Sequence, residues 1–307
     1  MKIVFFGSDD FASRNLESLI CSRHEVLACV TQPDRPKGRD LKISLPMPKI
    51  ISANYGVDVL QPKDLRSDEF LKALKGYGAE LFVVIAYGRI LTKEILDLPM
   101  MFSINVHGSL LPKYRGAAPI NWAIINGDQK TGMTIAKIDQ NLDSGDILKQ
   151  KELDIKKDDT SAILRQRMIN ESVDFLLNCL DDIENNNISL QKQDCTKVSF
   201  APKLTKELGL IDWNKSAEEI RNLVRGLLPW PSAYTKYKGK ILKILETEVV
   251  DQNSVPGKII NVSKQGFVVG ASDKALLVKR VHLESSKQMD AASFVAGHKI
   301  EVGTILG

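Results

Sequence analysis

The sequence reads as an α/β protein with a mostly parallel sheet, followed by a smaller β-rich domain, and three observations carry that reading. Lys2–Phe6, the turn Gly7-Ser8-Asp9, a helical pattern to about Ile20 and the apolar run Glu25–Val30 give a strand–turn–helix–strand order. That order argues for parallel pairing through a crossover helix. Ala79–Tyr87, A-E-L-F-V-V-I-A-Y, is nearly all apolar, as a central strand covered on both faces must be. From Ala233 to Val278 short strand patterns are punctuated by glycine, which suits a small β-barrel. A length of 307 residues favours two domains.

The remaining elements follow in order. Thr31–Lys49 holds four prolines and a glycine, so regular structure is not expected across most of it. Pro48–Tyr55 reads as a helix, Val57–Leu60 as a short strand, and Ser67–Lys75 as a helix with Ser67 at its N-cap. A strand at Ser103–Gly108, a helix at Ala117–Asn126, and strands at Thr131–Ile138 and Ile147–Lys151 come next. A helix should run from Asp158-Asp159-Thr160 to about Leu180, where Asn and Asp take over. Leu190–Leu208 reads as a linker, Ser216–Gly226 as a helix, and Leu228-Pro229-Trp230-Pro231 as a rigid turn. The domain expectation is therefore 1–189, a linker at 190–208, and 209–307.

Composition excludes several classes. Hydrophobic residues make up 43% and charged residues 26%, ordinary for a soluble globular chain. No run of ~18 apolar residues is present, and the start, M-K-I-V-F-F-G-S, carries no cleavage signature. Cys21, Cys29, Cys179 and Cys195 are isolated from one another, so disulfides are not expected and a reducing cytoplasm fits. His24, His107, His282 and His298 are scattered, and Ala28 stands where a zinc-protease helix would need its second histidine. A metal-independent reaction is the expectation. Only Gly7 of a G-x-G-x-x-G fingerprint follows the first strand, and no phosphate-cradling G-x-x-x-x-G-K-[ST] occurs, which disfavours a nicotinamide cofactor. The formal charge of +4 resides in residues 209–307, with fourteen Lys/Arg against ten Asp/Glu. Asp34–Lys49 adds a local basic cluster of Arg35, Lys37, Arg39, Lys42 and Lys49; such patches are usually solvated surface and less often a polyanion site.

The chemistry is concentrated in Ser103–Pro119, S-I-N-V-H-G-S-L-L-P-K-Y-R-G-A-A-P. Side chains two apart on a strand share a face, which places Asn105 beside His107 at a strand end, just before Gly108. An amide and an imidazole there suit carbonyl chemistry, the amide donating to a developing oxyanion and the imidazole handling charge or protons. The plainer reading is a hydrogen-bonded histidine and a turn-forming asparagine. Ligands of open α/β sheets bind beyond the carboxyl ends of strands, so the ends at Gly7, Tyr87–Gly88 and His107–Gly108 should ring one crevice. The aspartates of Asp139–Asp146 are ordinary turn formers, or one of them orients the imidazole from 36 positions downstream, at Asp143.

N-V-H-G-S-L-L-P-K-Y-R-G-A-A-P, followed by L-D-S-G-D-I-L at Leu142–Leu148, closely resembles the folate-dependent formyltransferase family. Within that family the T-Q-P-D-R-P-K-G-R loop, I-D-W at Ile211–Trp213 and P-W-P at Pro229–Pro231 resemble the branch that acts on methionyl-tRNA, over nearly the whole chain. The resemblance implies a Rossmann-like catalytic domain and a C-terminal barrel like an OB-fold. It implies transfer of the formyl group of 10-formyltetrahydrofolate to the α-amine of methionyl initiator tRNA. Carried over by motif, the catalytic set is Asn105, His107 and Asp143. The folate-contacting segment is Ser109, Leu110, Leu111 and Pro112. The tRNA-binding set is Arg35, Lys37, Arg39 and Lys42 in the basic loop, with Lys203 and Lys206 in the linker; barrel contacts cannot be assigned by residue. No metal or membrane partner is implied, and a monomer in the cytoplasm is expected.

Four rivals compete with this reading. A nucleotide-sugar formyltransferase would share the core but has no need of the basic insert, and a glycinamide-ribonucleotide formyltransferase should end near the linker. A non-catalytic RNA-binding or folate-sensing module would not need an intact Asn105/His107/Asp143 set. A serine hydrolase on Ser109 and His107 lacks the G-x-S-x-G elbow.

Overall fold

The computed structural model describes residues 1–37 and 42–307. The chain begins β1 (Lys2–Gly7), α1 (Asp10–Ile20), β2 (Glu25–Val30), β3 (Arg35–Lys37), β4 (Lys42–Ser44), α2 (Met47–Tyr55) and β5 (Asp58–Leu60). It continues α3 (Asp68–Gly76), β6 (Leu81–Ile85), α4 (Lys93–Leu96), β7 (Phe102–His107), β8 (Arg115–Gly116), α5 (Pro119–Ile125), β9 (Lys130–Lys137), β10 (Ile147–Asp154) and α6 (Ser161–Glu184). After β11 (Phe200–Ala201) come α7 (Ala217–Gly226), β12 (Ala233–Tyr237), β13 (Lys240–Val250), β14 (Ile259–Ser263), β15 (Gly266–Gly270), β16 (Ala275–Leu283), β17 (Met289–Asp290) and α8 (Ala291–His298). Two compact units emerge: residues 1–116, 132–153 and 166–200 in one, and 117–131, 154–165 and 201–307 in the other.

The first unit is built on a seven-stranded sheet of order β10-β9-β7-β6-β1-β2-β5. β1 pairs parallel with β2 and β6, β2 with β5, and β6 with β7, while β9 is antiparallel to β7. The parallel sheet read from the sequence is present, and β1, β6 and β7 end side by side as its crevice requires. Every residue of β6 is buried, because helices cover both faces of a parallel sheet. Phe6, Phe70, Phe82 and Tyr87 fill the core on one face. Gly7 closes β1 because a Cβ there would sit 2.4 Å from that of Ala12. Asp9 then caps α1, its carboxylate accepting from the Ala12 N–H at 3.0 Å.

Two local expectations change. The proline-rich stretch contains the hairpin β3–β4, with Arg35 opposite Ser44 and Pro36 opposite Ile43. In a two-stranded ribbon each strand is an edge, and an edge tolerates proline. α6 continues four residues past Leu180 to Glu184, because Cys179, Leu180 and Ile183, all buried, keep the apolar spacing of a helix. Residues 190–200, within the segment read as a linker, stay on the first unit: Gln191 and Ile147 exchange two backbone bonds of 2.8 and 2.9 Å.

The second unit holds an antiparallel sheet of order β12-β13-β16-β15-β14, with β17 paired to β16. The antiparallel strands read from the sequence for this part are present, and among the described residues β12 and β14 form the two ends of that path. Its core gathers Trp213, Ile220, Val224, Tyr237, Phe267 and Phe294. α7 starts with a capping box in which Glu219 N–H donates to Ser216 Oγ and Ser216 N–H to Glu219 Oε2.

Candidate active site

β7 delivers Asn105 and His107 to one side of the sheet's carboxyl edge. The loop between β9 and β10 brings Asp143 to them from across the sequence. One Asp143 oxygen, Oδ2, lies 3.6 Å from His107 Nδ1 and accepts the Gly116 N–H at 2.9 Å. The other, Oδ1, accepts from Asn105 Nδ2 at 3.3 Å. His107 is only 5% exposed. Its Nε2 lies 2.8 Å from the Tyr114 carbonyl oxygen; a carbonyl can only accept, so Nε2 carries a hydrogen. The second nitrogen, Nδ1, faces the carboxylate.

The supporting backbone is strained where it turns toward the site. Tyr114 (φ +61°) and Asp143 (φ +48°) both occupy the left-handed region, which costs a non-glycine residue about 1–3 kcal/mol when surroundings enforce it. Tyr114 N–H donates to Ser199 Oγ and Arg115 N–H to Ser199 O, both at 2.9 Å. The Asp143 loop is held to the sheet by Lys137 N–H donating to Asp146 O at 2.9 Å. Gly145 allows this approach, since a Cβ there would fall 1.7 Å from the Lys137 carbonyl oxygen. Gln193 closes the far side, its Nε2 donating to the carbonyls of Asp143 and Gly145 at 2.9 and 2.8 Å.

The segment expected to meet folate is mostly internal. Ser109 is fully buried, donates to Lys113 O at 2.6 Å, and its carbonyl accepts from Thr134 Oγ1 at 2.7 Å. Leu111 packs with Ala136 and Ile147; Leu110 and Pro112 are half-buried. This geometry leaves Ser109 no nucleophile's access, which removes the physical basis of the serine-hydrolase reading. An open cleft of about 820 Å³ in the same unit is lined by Leu71, Ile90, Leu91 and Thr92, by Arg66, Lys93 and Glu94, and by Gln140 of the Asp143 loop. Residues 90–94, which line it, follow directly on the strand end at Tyr87–Gly88 that the sequence places at the rim of the crevice.

Of the basic residues, Arg35 is exposed on β3, and Lys37 and Lys42 face each other across the hairpin backbone. Arg39 lies outside the described residues. Lys203 and Lys206 are exposed in the second unit. Lys49 instead pairs with Asp34 at 2.7 Å. Hydrogen bonds from Gln61 and from Lys49 hold the Asp34 carboxyl below the usual aspartate range, and the same Gln61 amide donates to Gln32 O at 2.9 Å. That network anchors the base of the hairpin. Among the described residues no group of three or more His, Cys, Asp or Glu is arranged to hold a metal ion, and no helix is long and apolar enough to cross a membrane.

Comparison with known proteins gives a consistent picture. A formyl transferase family model matches residues 1–180, and a formyl transferase C-terminal domain model matches residues 203–299. The methionyl-tRNA formyltransferase of Acetivibrio thermocellus is 42% identical over 310 positions, covering all of both chains. That of Clostridioides difficile is 43% identical over 309 positions, again covering both in full. Among solved structures, an N-formyltransferase from Helicobacter canadensis, in complex with folinic acid and dTDP-3-aminofucose, superposes with a TM-score of 0.67 at 18% identity. It covers 91% of this chain and 99% of its own, a likeness of fold.

Proposed function

The chain belongs to the formyl transferase family, among the methionyl-tRNA formyltransferases, and from that membership we propose its reaction. It transfers the formyl group of 10-formyltetrahydrofolate to the free α-amine of methionyl initiator tRNA, giving N-formylmethionyl-tRNA for translation initiation. The observation that carries the reading is one carboxylate, Asp143, within reach of both the His107 ring and the Asn105 amide.

The residues divide the work as follows. The α-amine, with a reference pKa near ~8, is present in part as the neutral nucleophile at working pH, so the site needs charge stabilisation more than a strong base. Asn105 and the His107 Nδ1–H stabilise the oxyanion formed when the amine nitrogen bonds to the formyl carbon. Asp143 stabilises the charged ring and takes the amine's proton directly or through water. The carbon–N10 bond then breaks, and the proton leaves with N10. Leu71 and Leu91 give the cleft an apolar side, on which a flat ring system can rest, and Arg66 offers a cation beside it. That lining supports placing the folate there, with Ser109, Leu110, Leu111 and Pro112 shaping the neighbouring edge. At about 820 Å³ the cleft has the size of a ligand pocket.

Arg35, Lys37, Arg39 and Lys42, together with Lys203 and Lys206, contact tRNA phosphates on this reading. Residues 1–189 hold the chemistry, 190–208 join it to 209–307, and the last part binds tRNA. The enzyme acts as a monomer in the cytoplasm. The discriminating experiment offers methionyl-tRNA and an amino-sugar nucleotide in parallel with 10-formyltetrahydrofolate. Formylation of the tRNA, weakening steeply as salt rises, is expected. Formylation of the sugar nucleotide alone would overturn the assignment.

A further inference from the structure

We infer that Gln193 is a positioning residue for the transfer reaction: its side-chain amide fixes the backbone that presents the Asp143 carboxylate to His107. The inference rests on the reading of Asn105, His107 and Asp143 given above. Gln193 comes from the stretch read as a linker, is 9% exposed, and uses both ends of its amide. Nε2 donates to Asp143 O at 2.9 Å and Gly145 O at 2.8 Å. Oε1 accepts from Arg115 Nε at 3.1 Å and Arg115 Nη2 at 2.7 Å.

Two donors and two acceptor sites are thus all engaged, and the amide has one orientation. Turned over, its oxygen would face two carbonyl oxygens and its NH₂ would face a guanidinium. The two ends act on the same residue, Asp143, from two sides. One end grips the backbone of Asp143, which sits at φ +48°. The other grips Arg115, whose neighbour Gly116 donates its N–H to Asp143 Oδ2 at 2.9 Å. The sheet holds the opposite flank of the loop through Lys137 and Asp146. A side chain needed only to fill space could be apolar; these four bonds converge on the carboxylate's backbone and on the strand that carries its N–H donor. Misplacing a reacting group by about 1 Å is enough to cost about a hundredfold in rate.

The test compares Gln193→Met, which keeps length and bulk but none of the four bonds, with Gln193→Glu. The glutamate keeps acceptors for Arg115 and sets oxygen against the two carbonyls. In both variants kcat for methionyl-tRNA formylation is expected to fall about a hundredfold, with KM for folate and tRNA held. Amide exchange at Gly116 should quicken while Val83 and Ile104 in the sheet stay protected. Wild-type kcat in Gln193→Met, a change confined to KM, or lost protection at Val83 and Ile104 as well would overturn the inference. Asp143→Asn, assayed alongside, separates the two levels. Full turnover there sinks the catalytic reading itself, whereas inactive Asp143→Asn beside fully active Gln193→Met sinks only the role of Gln193.

Discussion

Asn105 and His107 are two positions apart on a strand, and that spacing alone puts them side by side. Both were legible because alternation is a property of any strand. Asp143 was legible only through the L-D-S-G-D motif, since nothing in a chain announces which distant carboxylate will turn back. The Tyr114 carbonyl and the Gly116 N–H were not legible at all: backbone groups carry no residue identity, and the fold alone aims them. Gln193 left no signal in Q-K-Q-D for the same reason. Gly145 shows how tight the arrangement is. Gly145→Ala would drive a methyl into the Lys137 carbonyl, 1.7 Å from the ideal Cβ position, and overpacking of that kind costs about 1–3 kcal/mol. Urea unfolding of the variant should show that loss, and turnover should fall with it because Asp143 is two residues away. Unchanged stability and rate would mean that the loop relaxes freely.

At the scale of elements, the buried parallel strands and their helices were read nearly residue for residue, because a covered strand must be apolar and a capped helix must be amphipathic. The hairpin β3–β4 was missed, since proline argues against central strands but not against a ribbon of two edges. The last turn of α6 was missed because two aspartates obscured the buried Ile183. Burial of these elements also sorts the thiols. Cys29 on β2 and Cys179 on α6 are buried, and desolvation pushes both up to about 12, so neither forms a thiolate near neutrality. Cys21 and Cys195 are exposed. A thiol reagent at pH 8 should therefore modify two cysteines of the native protein promptly and the other two only after denaturation. Four equally fast thiols would contradict the packing of β2 and α6.

For the whole molecule, the sequence divides the chain along its length, whereas packing groups segments from different places in it. Residues 117–131 and 154–165 belong to the same compact unit as 201–307. Asn121 donates to Gly226 O at 2.7 Å, and Arg221 donates to Lys157 O at 2.6 Å. Contacts across such separations leave no local mark. The pairing order of the second sheet was likewise beyond reach of a strand-and-glycine pattern, which fixes strands and turns but not which edges meet. The account as a whole depends on an amide, an imidazole and a carboxylate acting together on one formyl carbon. Single-turnover formylation of methionyl-tRNA by wild type, Asn105→Ala, His107→Ala and Asp143→Asn tests this most directly. The account predicts a fall of about a hundredfold or more in the chemical step for each variant, with folate and tRNA binding retained. A chemical step near the wild-type rate in any of the three would contradict it.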